Sequence, residues 1–321
     1  MDNGNIYSSA HHQKKAMKVT LIHNPDAGDG EQPSGERLLG LIRGAGYTAT
    51  YQSSKDENWH GVLEKPSDVV AVAGGDGIVG KVAKRLIGRR TPIAVLPMGT
   101  ANNVATTLGL IGRPLGELVA GWASARRVRF DVGAASGPWG SKFFIEGLGA
   151  GLFTETMYKL DATDNLDLAH LEDTGEKLTS VLQTLKDRLL GFTPNELKVT
   201  LDGRDMSGEY VLLAVMNISY IGPNLCLAPH ANPSDGLLDV VFVPKDEQEN
   251  LSRCLSHCIE GKLPQPGLTV RKGQRLQIDW DGFTMHIDDE VWPDKGSEFP
   301  LSLSAVDVKV LRHALEFLAP S

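Results

Sequence analysis

Ser67-Asp68-Val69-Val70-Ala71-Val72-Ala73-Gly74-Gly75-Asp76-Gly77-Ile78-Val79-Gly80-Lys81 is the stretch on which the reading of this chain turns. Residues 69–73 are an unbroken apolar run of strand length, as expected of a strand buried on both faces. The glycines bring the run to a sharp turn, and Val79 to Arg89 then carries apolar residues at helical spacing. Glycine lets the backbone approach a ligand with no Cβ in the way, and the helix start offers free N–H groups and a positive dipole end. A strand–glycine turn–helix of this kind favours a phosphate, although a plain connecting turn reads the same way locally. Two familiar patterns fit only in part. Gly75-x-Gly77-x-x-Gly80 lacks the acidic residue that a dinucleotide fingerprint wants about 20 positions on. Gly75-x-x-x-x-Gly80-Lys81 is followed by Val82, where a phosphate loop of the Walker type needs Ser or Thr for magnesium.

The surrounding sequence repeats the alternation. Met17 to Pro25 (MKVTLIHNP), Tyr47 to Tyr51 and Thr91 to Pro97 (TPIAVLP) read as strands. Gly35 to Gly46 (GERLLGLIRGAG) and Thr100 to Gly109 read as helices. Strand and helix in turn imply a mainly parallel sheet covered on both faces, in an N-terminal α/β domain over 17–127. From Arg127 the pattern changes to strands punctuated by turns: RVRFDVGAA, KFFIEGLGA, NELKVTLDG, GEYVLLAVMN, LLDVVFVP, QRLQIDW and FTMHIDDE. Asp-Gly turn pairs recur at 202–203, 235–236 and 281–282. This predicts a C-terminal β-sandwich over 128–304, interrupted by a helical insertion near 165–190 and a helix over 246–261. Residues 1–16 read as a polar, disordered tail, and 305–321 as a segment packing back on the first domain.

The chain has 321 residues, 41% hydrophobic and 22% charged, with a formal net charge of −8. That acidity argues against nucleic acid as a partner, since phosphate backbones attract basic surfaces. No apolar run reaches the roughly 18 residues of a membrane span, and no secretory signal is legible at the start. Three cysteines, Cys226, Cys254 and Cys258, do not make a disulfide framework, and helix packing explains Cys254 and Cys258 better than metal does. A cytoplasmic location follows. The run Lys81, Lys84, Arg85, Arg89, Arg90 reads as a solvated helix face, with contact to anionic headgroups as the alternative.

Three strand ends in the first domain carry unusual loops: His23-Asn24-Pro25-Asp26-Ala27-Gly28, the glycine loop, and Pro97-Met98-Gly99-Thr100-Ala101-Asn102-Asn103. Ligands of open α/β sheets bind beyond such strand ends. In this order N-P-x-A-G, G-G-D-G and P-x-G-T-x-N resemble the diacylglycerol kinase catalytic-domain family, which includes bacterial lipid kinases and sphingosine kinases, with NAD kinases as distant relatives. The likeness continues through Arg129 to Gly133, Phe144 to Gly151, and Met216-Asn217 to Val240.

The resemblance implies an ATP-dependent lipid kinase acting on a lipid hydroxyl, such as that of diacylglycerol or a sphingoid lipid. Nucleotide would lie between an α/β domain and a β-sandwich, with magnesium and only peripheral, transient membrane contact; a homodimer stays open. It implies ATP binding by Asn24, Gly74, Gly75, Asp76, Gly77, Gly80, Gly99, Thr100 and Asn102. Asp76 and Asp131 would belong to the catalytic magnesium network. Asn232, Asp235 and Leu237 would hold a structural magnesium, unless Asp235-Gly236 is a turn without metal. Asp288 would be the base and Glu290 its partner near the metal, from the family's D-G-E motif. The chain departs from the family at Ile78 for Thr, Lys81 for Glu, Asn103 for Asp and Asp289 for Gly. Lys81, Asn103 and Asp289 keep open the alternative of a non-catalytic nucleotide-binding regulator. An NAD kinase-like enzyme is the other alternative, although Thr100-Ala101-Asn102-Asn103 resembles the lipid-kinase version of the nucleoside-binding segment.

Overall fold

A computed structural model describes residues 16–28, 30, 32–162, 173–262, 267–293 and 304–321. The apolar runs of the first third become β1 (Lys18–His23), β2 (Thr48–Ser53), β3 (Val69–Gly74) and β4 (Ile93–Pro97). They pair in parallel in the order β2-β1-β3-β4. All of β3 is buried, as an apolar strand covered on both faces should be. The connections are α1 (Gly35–Gly44), α2 (Asp76–Leu86), α3 (Asn103–Thr107) and α4 (Leu115–Gly121). Ser34 caps α1 by accepting from the Arg37 N–H, and the helix turns Leu38 and Ile42 inward. α2 does the same with Val79, Val82, Ala83 and Leu86.

Parallel pairing sends the loops after β1, β3 and β4 out of one edge. Two of them touch through bare backbone: a Cβ on Gly75 would lie 2.9 Å from the Cα of Gly99, and one on Gly99 would run into Gly75. Asn102 sits in the left-handed region at φ +56° and clasps Gly99, accepting from its N–H at 2.9 Å and donating to its carbonyl at 2.6 Å. The glycines are therefore demanded first by the meeting of two loops.

The second half holds β5 (Arg126–Gly137), β6 (Gly140–Phe144), β7 (Gly147–Gly151), β8 (Asn195–Leu201), β9 (Arg204–Asp205) and β10 (Gly208–Met216). The hairpin β11 (Tyr220–Ile221) and β12 (Leu225–Cys226) follows, then β13 (Leu238–Pro244), β14 (Thr269–Gly273), β15 (Arg275–Trp280), β16 (Met285–Ile287), β17 (Glu290–Trp292) and β18 (Ser304–Ala319). β7, β10, β13 and β16 form one layer, and β5, β6, β8, β15 and β18 the other. Phe144, Leu213, Val215, Phe242, Ile278, Trp280 and Val308 fill the space between. The outer face of β10 and β13 is covered by α5 (Leu152–Ala162), α6 (Thr174–Leu189) and α7 (Gln248–Ile259). The chain is thus an α/β unit with a parallel sheet followed by a β-sandwich unit, as the sequence predicts.

Three sequence expectations change. The stretch 142–150, read as one strand, is two: β6 pairs with β5, the chain bends at Ile145-Glu146, and β7 pairs with β10 and β16. The C-terminal segment does not merely pack on the first unit. β18 pairs with β15 over Ser304–Lys309, with β5 along most of its length, and with β4 at Phe317↔Ile93, so it joins both units. β5 runs through the expected boundary at 127–128. Of the helical insertion, 163–172 lies outside the described residues, as do 1–15 of the expected tail. Among the described residues no helix is long and apolar enough to cross a membrane.

Candidate active site

The bend at Ile145-Glu146 makes a cradle. Asn217 holds the carbonyl side of this chain: its N–H donates to the Glu146 carbonyl at 2.9 Å, and its Nδ2 to the carbonyls of Ile145 and Asp131 at 2.9 and 3.0 Å. The amide side faces the tip of the β16–β17 hairpin. There Asp288, at φ +51°, accepts at Oδ1 from the N–H groups of Ile145, Glu146 and Gly147 at 3.1, 2.9 and 3.3 Å. Aspartate is among the few residues that tolerate this backbone region. Oδ2 faces Lys84 of α2, with Nζ at 2.8 Å. Asp76, Gly80 and Lys84 lie one turn apart along one side of α2, so a single helix face meets the cradle.

Asp76, the first residue of α2, also caps the next helix: its carboxylate accepts from the N–H groups of Asn103 and Val104 at 2.9 and 3.0 Å. Asn103 is buried, and its Nδ2 donates to Glu146 Oε2 at 2.9 Å and to the Gly222 carbonyl of the β11–β12 hairpin at 3.0 Å. Asp76, Gly77, Gly80, Thr100, Asn103, Glu146, Phe153, Met157, Asp288 and Asp289 line one cleft of about 270 Å³ between the two units.

The electrostatics follow from burial among like charges. Desolvation raises the Asp76 pKa, the Val104 and Asn103 amides oppose it, and Asp288 adds to it. Glu146 is pushed well above the usual carboxylate range, by burial first and by Asp76 and Asp288 next. Burial also raises Asp288, against the pull of Lys84 and the backbone amides. Burial, the largest single influence, would lower the Lys84 pKa, but the charge and hydrogen bond of Asp288 together with the charges of Asp289 and Glu290 turn the net shift upward. A protonatable, solvent-poor carboxylate held in fixed geometry beside a bare helix N-terminus suits proton abstraction next to a phosphate.

Not every residue singled out in the sequence joins this cleft. Asn24 closes its own loop, accepting from the Asp26 N–H at 3.3 Å, and Gly74 abuts Ile78 and the Cβ of Asn24. Gly75 and Gly99 hold the two loops together, while Gly77 faces only the tip of Asp289, 3.3 Å from where a Cβ would stand. Glu290 turns away to Lys142, with Nζ to Oε2 at 2.5 Å. Asp131 is fully buried elsewhere: its carboxylate accepts from the N–H groups of Gly236 at 2.7 Å and His313 at 2.6 Å, tying the 232–237 loop to the irregularity in β18. That use replaces the expected place in the Asp76 network.

The loop of Asn232, Asp235 and Leu237 does not fit a metal. Asp235 Oδ1 accepts from the Leu237 N–H at 3.0 Å, and Oδ2 faces Lys272 Nζ at 2.8 Å. The same ammonium lies 3.5 Å from Asp239 Oδ2, and β13–β14 pairing sets Asp239 opposite Lys272. A lysine ammonium, fixed by strand register, already occupies the Asp235 carboxylate that a cation would need. The basic run on α2 is not one solvated face: Lys84 pairs with Asp288, Arg85 stacks over Trp59 at 5.7 Å, and Arg89 bonds Glu64 and the Leu63 carbonyl. Cys226, Cys254 and Cys258 are free thiols, with Cys254 packed under the Cys226 carbonyl.

Lys84, Glu146 and Asn217 carry functions that the sequence reading did not assign. Glu146 had a visible signal, a lone acid inside a buried glycine-rich run. Lys84 had none, because its partner lies 204 positions away.

Comparison with known proteins agrees with this architecture. Residues 18–135 match the diacylglycerol kinase catalytic domain, and residues 160–314 match the YegS C-terminal NAD kinase beta sandwich-like domain. A protein of Xanthomonas campestris named "Probable lipid kinase YegS-like" is 32% identical over 240 residues, covering 70% of this chain and 72% of that one. The diacylglycerol kinase of Bacillus subtilis is 25% identical over 277 residues, 82% of this chain and 86% of that one. The crystal structure of a diacylglycerol kinase from Bacillus anthracis superposes with a TM-score of 0.69 at 21% identity, over 96% of this chain and 98% of that one. Yeast NADH kinase shares the fold at a TM-score of 0.52 and 9% identity, over 96% of this chain and 85% of that one.

Proposed function

The chain belongs to the diacylglycerol kinase catalytic-domain family and is a phosphotransferase with an alcohol acceptor, and on that premise we propose that it transfers the γ-phosphoryl group of ATP to the hydroxyl of a lipid. The observation that carries this reading is the meeting of Asp76 and the bare Gly77 backbone, from one unit, with Asp288 from the other, across a single cleft.

The start of α2 leaves N–H groups without intrahelical partners, and Gly77 lets phosphate oxygens approach them. The nucleotide phosphates bind here, with Thr100 at the rim. Phosphoryl transfer is mostly positioning and charge neutralisation. As the lipid oxygen bonds to the γ-phosphorus, its proton passes to Asp288, and the bond from that phosphorus to the β-phosphate bridging oxygen breaks, leaving ADP. Burial keeps Asp288 basic, while Lys84 and the three amides hold it in one orientation. Thr100 stays exposed, so the phosphate end of the cleft opens to solvent. Phe153 and Met157 of α5 supply an apolar wall, which suits an acceptor carrying hydrocarbon next to its hydroxyl.

The donor set suits magnesium: the carboxylates of Asp76 and Glu146 are hard oxygen ligands, and Asn103 Oδ1 is buried with no partner among the described residues. Bound there with the nucleotide, magnesium would neutralise charge on the phosphate oxygens. Lys81 is exposed and leaves the cleft acids intact, which favours catalysis over a purely binding role.

Incubation with γ-labelled ATP, magnesium and a mixture of diacylglycerols, ceramides and sphingoid bases, with products identified by mass, tests the reading. A labelled lipid supports it. Labelled NAD in a parallel reaction, or nucleotide binding without turnover on any acceptor, overturns it.

A further inference from the structure

A charge inside a run of buried small and apolar residues is costly unless something uses it. Phe144 to Phe153 is buried at every position, and Glu146 is the one acid within it. Its Oε2 accepts from Asn103 Nδ2 at 2.9 Å. Asn103 is itself only 1% exposed. Its N–H donates to Asp76 Oδ2 and its Nδ2 also donates to the Gly222 carbonyl, so one residue ties the acid of α2, the acid of the β6–β7 bend and the β11–β12 hairpin. Its Oδ1 is buried with no hydrogen-bond partner among the described residues, and Asn103 lines the same cleft.

An amide can donate to a buried carboxylate, whereas a second carboxylate in its place could not, and the two would repel. Asparagine at 103 and glutamate at 146 are therefore a matched pair with one acid between them. The chain places that acid at 146, in the cleft beside Asp76 and Asp288.

We propose that Glu146 is a metal-facing carboxylate of the cleft, with Asn103 as its positioning partner. The pair acts as a unit: it presents the Glu146 carboxylate and the free Asn103 Oδ1 to the divalent cation that accompanies the nucleotide. This rests on the kinase reading above. It also accounts for Asn103: the carboxylate missing there is supplied from the other unit.

The test has two arms. In the first, affinity for a fluorescent ATP analogue is measured by titration with and without magnesium chloride, for the wild type and Glu146→Gln. The expected result is that the gain in affinity from magnesium falls about 10–100-fold in the variant, the usual cost of disturbing a metal's immediate surroundings. Meanwhile the melting temperature in metal-free buffer holds or rises. A melting temperature that drops while the magnesium gain is unchanged would mean that Glu146 is only structural, and would overturn the proposal. In the second arm, Asn103→Asp, Glu146→Gln and the double variant are melted without metal or nucleotide. Asn103→Asp is expected to lower the melting temperature, and adding Glu146→Gln to restore it by reversing acid and amide. Additive effects would overturn the pairing. A wild type whose nucleotide affinity ignores magnesium overturns the kinase reading and the metal-facing role together; the second arm, free of nucleotide, still decides the pairing on its own.

Discussion

Replacing Asp288 with Asn separates the two things this carboxylate does. The amide keeps the shape, and one oxygen still accepts from the amides of Ile145, Glu146 and Gly147. The other position becomes an NH2 group pointing at Lys84 Nζ, which now stands 2.8 Å away, so a donor meets a donor. Removing one partner of a buried ion pair costs about 3–5 kcal/mol. The Lys84 side chain retains 23% exposure and can turn partly to water, which brings the expected loss to about 2–3 kcal/mol. For a chain of this size that is a fall in melting temperature of roughly 3–5 °C. Loss of the base should independently lower turnover about 10²–10⁴-fold. The double variant Asp288→Asn with Lys84→Met removes the stranded ammonium, so it should recover most of the stability and none of the turnover. Thermal melts paired with a coupled ADP-release assay read both. Recovery of stability and turnover together in the double variant would refute the assignment of Asp288 as base and leave its role structural.

Three further outcomes follow from individual contacts. Asp76→Ala should weaken magnesium-dependent ATP binding about tenfold or more and destabilise the protein by about 1 kcal/mol through the uncapped N-terminus of α3; isothermal titration with an ATP analogue checks the first and a denaturant melt the second. Chelation with EDTA should leave the melting temperature of the nucleotide-free protein unchanged, because Lys272 already occupies the Asp235 carboxylate; Lys272→Met should lower it, and a large EDTA effect on the wild type would count against the lysine clamp. His286 is buried against Thr154, 2.6 Å from Nδ1 to Oγ1, and burial lowers its pKa to about 3. A depressed folded value means that its stability is present above the unfolded value of 6.5 and is lost as pH falls towards 3, by up to roughly 1.4 kcal/mol per pH unit. Melts of wild type and His286→Leu across that window should show a shallower acid slope in the variant.

The sequence made the α/β unit legible because its cues are local. Each apolar run is strand-length, each helix follows a glycine-rich turn, and parallel pairing then carries Asn24, Gly75 and Gly99 to one edge without further instruction. Most of the longer sandwich strands were visible from their turns, whereas β14 and β18 were not read as strands. What stayed hidden depends on pairings across the chain. Nothing within KFFIEGLGA shows that its middle leaves both ladders, because the bend is held by Asn217 and Asp288. The surroundings of Asp131 are not legible in the sequence, because an acid in an I-D-x-G-like strand looks the same whether it meets a metal or two backbone amides from 105 and 182 residues away. Lys81 stands out by its place in the glycine loop, yet Lys84, one turn on, is the lysine that pairs with Asp288. Asn103 meets Glu146, 43 positions away, a pairing that no local pattern announces.

The account stands or falls on the terminal phosphate lying between Gly77 and Asp288. A crystal structure with magnesium and a non-hydrolysable ATP analogue measures this directly. The γ-phosphate is predicted to sit over the N-terminus of α2 with Asp288 facing it across the cleft; triphosphate bound away from Asp76 and Asp288, with that cleft empty, would contradict it.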